Sequence, residues 1–164
     1  EAAAQRSKWH PVNKATPDTG LRERGMGKVV CSIVLPVDDS DSSSRAVQLV
    51  IRLHAKLAPM NVHLLYVQIP PVAIGDESPR RESPDAEAQA ALTSAKGLLD
   101  AAAVPHTIGI ASGYVGSTIV SYAKKHNCDG IVMGTRGVGS TEQLLGSIAT
   151  QVVQLADMPV TVVK

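Results

Sequence analysis

The chain is almost free of aromatic residues: its 164 residues include no Phe, one Trp and three Tyr. Its core must therefore be aliphatic, which suits a buried parallel sheet faced by Ala-rich helices. The same scarcity leaves little with which to stack the bases of single-stranded nucleic acid. Only two cysteines are present, Cys31 and Cys128, without metal-binding or redox spacing. This cysteine usage indicates a reducing compartment, and we expect a cytoplasmic protein.

Basic and acidic residues are nearly equal in number, with 16 Lys and Arg and 15 Asp and Glu. The positive excess lies in residues 1–28, with six basic and three acidic side chains, whereas residues 29–164 carry ten and twelve. The folded part therefore offers no basic stripe for nucleic acid. No apolar run reaches the roughly 18 residues that a membrane-spanning helix needs. We expect neither nucleic acid nor a membrane as partner.

Residues 1–27 are polar and lack periodicity, which predicts an N-terminal extension, a linker from an upstream domain or an expression remnant. From residue 28 to 164 apolar strands alternate with amphipathic helices, and this predicts one α/β domain with a doubly wound, five-stranded parallel sheet and helices on both faces. The predicted strands are 29–37, 61–69, 105–111, 129–134 and 158–164. The predicted helices are 44–58, 85–103, 117–127 and about 145–155, with a loop at 70–84. The predicted core faces are Ala46, Leu49, Val50, Leu53 and Leu57 in the first helix and Leu145, Ile148, Val152 and Leu155 in the last.

Several catalytic and cofactor motifs do not occur in the sequence. A dinucleotide fingerprint fails because Glu142 stands where its third glycine belongs, and neither a P-loop nor a G-x-S-x-G elbow is present. The five histidines never pair at a metal-ligand spacing. Because we find no nucleophile–base pair either, a binding or sensing module with at most weak hydrolytic activity fits better than an enzyme.

The stretch "GTRGVGSTEQLLGS", residues 134–147, follows a strand-like run and contains four glycines. Ligands of doubly wound sheets bind beyond the carboxyl ends of the strands, where this stretch and "PVDDSDSS" both lie. Glycines let backbone N–H groups approach a phosphate, and Ser147 and Arg136 add a hydroxyl and a cation. A glycine-rich turn without a ligand is the alternative, and Asp38 either faces a ligand or only caps the following helix.

These segments, from "VVCSIVLPVDDSDSSS" to "QLLGSIATQVVQLADMPVTVVK", make the chain similar to the universal stress protein family over residues 28–164. In ATP-binding members the nucleotide loop reads G-x2-G-x9-G-[ST]. Gly134, Gly137, Gly146 and Ser147 match its fixed positions, with one residue fewer between Gly137 and Gly146.

The resemblance implies an adenine nucleotide alpha hydrolase-like fold with strand order 3-2-1-4-5. It implies a stress-response module that binds ATP, or AMP or ADP, with Mg²⁺ accompanying the nucleotide. The nucleotide-binding residues that it implies, together with Arg136, are Pro36, Val37, Asp38, Val67, Gly134, Gly137, Gly146, Ser147 and Ile148. Asp39 stands where the family commonly has Gly. A homodimer through residues 158–164 is also implied, and a nucleotide-free dimeric interaction module is the alternative.

Overall fold

The computed structural model describes residues 31–57, 59–70, 84–136 and 145–164. The predicted extension at 1–27, nearly all of the predicted loop at 70–84, and Gly137 lie outside the described residues. The proposed domain start at residue 28 therefore stays a prediction.

The described chain folds into five strands and four helices that alternate, as predicted. The strands are β1 (Cys31–Pro36), β2 (Met60–Gln68), β3 (His106–Ser112), β4 (Gly130–Gly134) and β5 (Val160–Val163). The helices are α1 (Asp41–Lys56), α2 (Pro84–Ala101), α3 (Val115–Lys125) and α4 (Ser147–Leu155). All strand pairs are parallel and the order is β3-β2-β1-β4-β5, which confirms the predicted fold and topology.

The sheet separates two aliphatic cores because successive side chains of each strand point to opposite faces. In β1, Ile33 and Leu35 pack with α1 and α2, whereas Val34 packs with α3 and α4. The helices supply small and branched residues to these cores, so helices cover both faces as predicted. The first core includes Ala46, Val47, Val50, Ala91, Ala95 and Leu99, and the second Ile119, Val120, Ala123, Ala149 and Val152.

Two predicted core faces are wrong at their carboxyl ends. Leu57 is 71% exposed because it caps α1, beyond the last turn that contacts the sheet. Leu155 is 47% exposed because the buried residues of α4 are Ala149 and Val152, which fixes a different face of that helix. Among the helices within the described ranges, none combines the length and apolarity needed to cross a bilayer.

Candidate functional site

The strand order changes direction at β1, which has β2 and β3 on one side and β4 and β5 on the other. The loops that leave the carboxyl ends of β1 and β4 therefore diverge to opposite sides of the sheet. This arrangement opens a crevice at that edge, the usual ligand position in doubly wound sheets. Pro36, Val37 and Asp38 leave β1 there, and Gly134, Thr135 and Arg136 leave β4.

Strand β2 extends beyond its pairing with β1 and exposes a backbone edge to this crevice. The pairing ends with Pro36 opposite Leu65 and with Val37 N–H donating to the Leu65 carbonyl at 2.9 Å, whereas β2 continues to Gln68. Even-numbered residues of β2 bond to the β3 side, as Gln68 does in accepting from Gly113 N–H at 3.0 Å. The N–H and C=O of Val67 therefore point toward β1, after β1 has turned away.

The Asp38 carboxylate is oriented by a serine two residues later. Its Oδ1 accepts from the Ser40 hydroxyl at 2.6 Å and from Ser40 N–H at 3.2 Å, the pattern of an Asx-turn. Ser40 also begins α1, because its Oγ accepts from Ser43 N–H at 3.2 Å. Both bonds that the described residues make to this carboxylate end on Oδ1, and none of them ends on Oδ2. Ser40, and not Asp38, is therefore the N-cap of α1, and the ligand-facing role of Asp38 stays a prediction.

Position 134 requires glycine because α1 packs directly against it. A Cβ there would lie 2.7 Å from the Ser42 carbonyl carbon and 2.8 Å from Ser43 N, so the first turn of α1 leaves no room for a side chain. Next in the chain, the Arg136 backbone bonds to Ser42, whose hydroxyl accepts from Arg136 N–H at 3.3 Å and donates to the Arg136 carbonyl. The start of the glycine-rich stretch is therefore attached to α1.

The two ends of the glycine-rich stretch are joined by a backbone hydrogen bond. Gly146 N–H donates to the Thr135 carbonyl at 2.8 Å, and a Cβ on Gly146 would lie 3.0 Å from that oxygen. Gly146 is the N-cap of α4 and provides no capping side chain, whereas Ser40 caps α1. Among the described residues no side chain caps the first turn of α4, so its backbone N–H groups suit an anion, which the positive end of the helix dipole attracts.

The structure gathers the predicted residues at one edge of the sheet. The strand ends, the loops and the first turn of α4 at this edge carry Pro36, Val37, Asp38, Val67, Gly134, Arg136, Gly146, Ser147 and Ile148, and Gly137 lies outside the described residues. Arg136 and Ser147 are exposed, and Ile148 packs against the same apolar cluster as Val67. In the described part of the chain no three His, Cys, Asp or Glu side chains form a metal cluster.

Three further residues at this edge escaped the sequence analysis. Ser40 and Ser42 lie in "DDSDSSS". This run of hydroxyl residues indicates a helix cap, but it does not show that Ser40 bonds to Asp38 or that Ser42 bonds to Arg136. Tyr66 lies near the crevice, and burial raises the pKa of its hydroxyl, helped by the negative charges of Glu87 and Asp38. Nothing in the local sequence pattern of β2 distinguishes Tyr66 from a core residue.

Comparison with known proteins identifies relatives over nearly the whole described chain. A model of the universal stress protein family matches residues 32–164. The universal stress protein MJ0531 of Methanocaldococcus jannaschii is 36% identical over 138 residues, covering 80% of this chain and 81% of that protein. The universal stress protein Sll1654 of Synechocystis is 31% identical over 157 residues, covering 90% and 95%.

Solved structures of this kind share the fold. The universal stress protein UspA from Lactobacillus plantarum has a TM-score of 0.66 and 26% identity, covering 82% of this chain and 97% of its own. A protein from Arabidopsis thaliana, solved with AMP bound, has a TM-score of 0.64 and 21% identity, covering 82% and 91%. Two more, in complex with dAMP (Archaeoglobus fulgidus) and with cAMP, have TM-scores of 0.62 at 20% and 23% identity, and each covers over four fifths of both chains.

Proposed function

This chain belongs to the universal stress protein family, and we propose that it binds an adenine nucleotide in the crevice between β1 and β4 as a stress-response sensor or regulatory module. The observation that carries the proposal is the backbone edge of Val67, which faces the crevice after β1 has turned away. An adenine ring needs one donor and one acceptor along its edge, and a strand backbone offers that pair at fixed spacing. The Val37 carbonyl lies beside the Val67 backbone, because the Val37 N–H is bonded to the carbonyl of Leu65 in the same strand, β2.

The ribose and phosphates would lie between Asp38 and the start of α4. The free Oδ2 of Asp38 suits a ribose hydroxyl, since an ionised carboxylate only accepts hydrogen bonds. Phosphate oxygens suit the first-turn N–H groups of α4, the Ser147 hydroxyl and the exposed Arg136 guanidinium. Gly137, which lies outside the described residues, is a further phosphate contact in this proposal.

Relatives of the same fold support an adenine base, since AMP, dAMP and cAMP occupy solved structures among them. We propose ATP as a further ligand, with Mg²⁺ held by its phosphates, and AMP as the simplest form that uses every group named above. Asp39 adds a carboxylate beside Asp38 that would repel each added phosphate, although solvent screens an exposed pair.

Nucleotide released by heat from the purified protein tests this proposal, with identification by anion-exchange chromatography and mass spectrometry. We expect an adenine nucleotide in wild type and much less in Asp38→Asn, which keeps the side-chain shape and the Asx-turn acceptor but loses the charge. Guanine or pyrimidine nucleotides in place of adenine would contradict the assignment of Val67 and Val37 to the base.

We also propose that the protein is a homodimer formed through residues 158–164. Strand β5 is an edge strand of the sheet described, and Ile131 and Thr135 N–H donate to the Pro159 and Val163 carbonyls. The backbone groups of Val160 and Val162 therefore face the open edge, free to pair with a twofold copy. Val153 and Leu155, each 47% exposed on the preceding helix, would extend the contact.

A further inference from the structure

One buried hydroxyl joins the first turn of α1 to the start of the glycine-rich stretch. Ser42 is 4% exposed, and its Oγ both accepts from Arg136 N–H at 3.3 Å and donates to the Arg136 carbonyl. One side chain thus satisfies both backbone groups of Arg136. Arg136 is 94 residues away in the chain, so the contact is a tertiary link.

The residues before Arg136 are held just as closely. Gly134 lies against the backbone of the same α1 turn, where a Cβ on this residue would come within 2.7 Å of the Ser42 carbonyl carbon. Thr135 is 4% exposed, and its N–H donates to the Val163 carbonyl at 2.8 Å. Ser42 therefore holds the Arg136 backbone, and loss of its hydroxyl would free Arg136 without loosening β4.

Ser42, and not Ser40, donates the hydrogen bond to the Arg136 carbonyl. The Ser40 Oγ lies 3.2 Å from the Arg136 carbonyl but only 2.6 Å from Asp38 Oδ1, and its single hydrogen goes to the carboxylate. The Arg136 carbonyl then receives its hydrogen from Ser42. The two hydroxyls are 3.4 Å apart, so Asp38 and the Arg136 backbone are held by neighbouring serines.

We propose that Ser42 is a positioning residue of the nucleotide site, one that holds Arg136 in the phosphate-binding arrangement before the ligand arrives. This inference rests on the proposed function. Without the hydroxyl Arg136 samples other arrangements, and the apparent Kd for a phosphate-bearing ligand rises in inverse proportion to the competent fraction that remains. A fall of that fraction to one tenth weakens AMP about tenfold. Adenosine, which lacks the phosphate, should keep its affinity.

Calorimetric titration of Ser42→Ala with AMP and with adenosine tests the proposal. The matched control is Ser117→Ala, which removes a serine hydroxyl that donates to the Tyr114 carbonyl at 3.1 Å at the start of α3. We expect about tenfold weaker AMP binding and unchanged adenosine binding in Ser42→Ala. Ser117→Ala should leave both affinities unchanged. Amide exchange by NMR should be faster at Arg136 in Ser42→Ala, with β4 still protected.

Equal losses of AMP and adenosine affinity would overturn the proposal, because a merely structural role for Ser42 weakens both ligands alike. Unchanged AMP affinity in Ser42→Ala, with the Arg136 amide freed, would also overturn it while leaving the proposed function intact. Wild type that binds neither ligand would refute the proposed function itself, and the positioning role with it.

Discussion

Adding one methyl group at Gly134 tests how closely β4 passes under α1. In Gly134→Ala the new Cβ would lie 2.7 Å from the Ser42 carbonyl carbon and 2.8 Å from Ser43 N. Both are backbone atoms, so no side-chain rotation can relieve the overlap, and the helix must move. Overpacking of this kind costs about 1–3 kcal/mol, and we expect a value near 3 kcal/mol because the obstacle is rigid. The midpoint of thermal unfolding should fall by roughly 6–12 °C.

Gly97→Ala is the matched control for that variant. Gly97 lies in α2, and nothing lies within 4 Å of a Cβ placed on it. The same substitution should therefore stabilise the protein by about 1 kcal/mol through helix propensity alone. Urea unfolding followed by circular dichroism gives both free energies of unfolding. If Gly134→Ala unfolds at the same urea concentration as wild type while Gly97→Ala is stabilised, the packing argument is wrong.

Three more predictions concern pH, backbone strain and assembly. Burial and the nearby charge of His126 lower the pKa of His63 below 6.5, and burial and the nearby charge of Lys125 lower the pKa of His126. The two rings are 5.3 Å apart, both lie against Tyr122, and His63 also lies near Thr107. The unfolded chain then takes up protons first, so the free energy of unfolding should fall as pH drops below about 6.5 in urea titrations, and less so in His63→Asn. Asp39 has φ of 61°, so Asp39→Gly should be neutral or stabilising and should tighten AMP binding; weaker binding would contradict the charge argument. Thr161→Lys places a charge on the exposed face of β5 and should yield monomers in light scattering at micromolar concentration, whereas an unchanged dimer would point to another interface.

The alternation of apolar strands and amphipathic helices was enough to predict the sheet and its helical layers. Boundaries were less accurate where caps decide them: α1 begins at Asp41, three residues before the predicted start, because Ser40 and not a later serine is the N-cap. The predicted buried faces of α1 and α4 were wrong near the carboxyl ends, at Leu57 and Leu155, because hydrophobic periodicity does not show where a helix stops contacting the sheet.

The candidate site was predictable in outline because the carboxyl ends of β1 and β4 lie side by side where the strand order reverses. Its particular contacts were not. The open edge at Val67 depends on where β1 stops pairing with β2, and the role of Ser42 depends on a bond to a residue 94 positions away. Gly146 is a buried N-cap, and a Cβ added to it would lie 3.0 Å from the Thr135 carbonyl oxygen, a contact that the sequence does not reveal. Gly146→Val should therefore lower the free energy of unfolding as well as binding.

Isothermal titration calorimetry of the purified, nucleotide-stripped wild-type protein with AMP and ATP, and with GMP as the base control, tests the central claim most directly. The account predicts saturable binding of one adenine nucleotide per chain and no comparable heat with GMP. Absence of saturable heat with either adenine nucleotide up to millimolar concentration, from protein that carried none when purified, would contradict it.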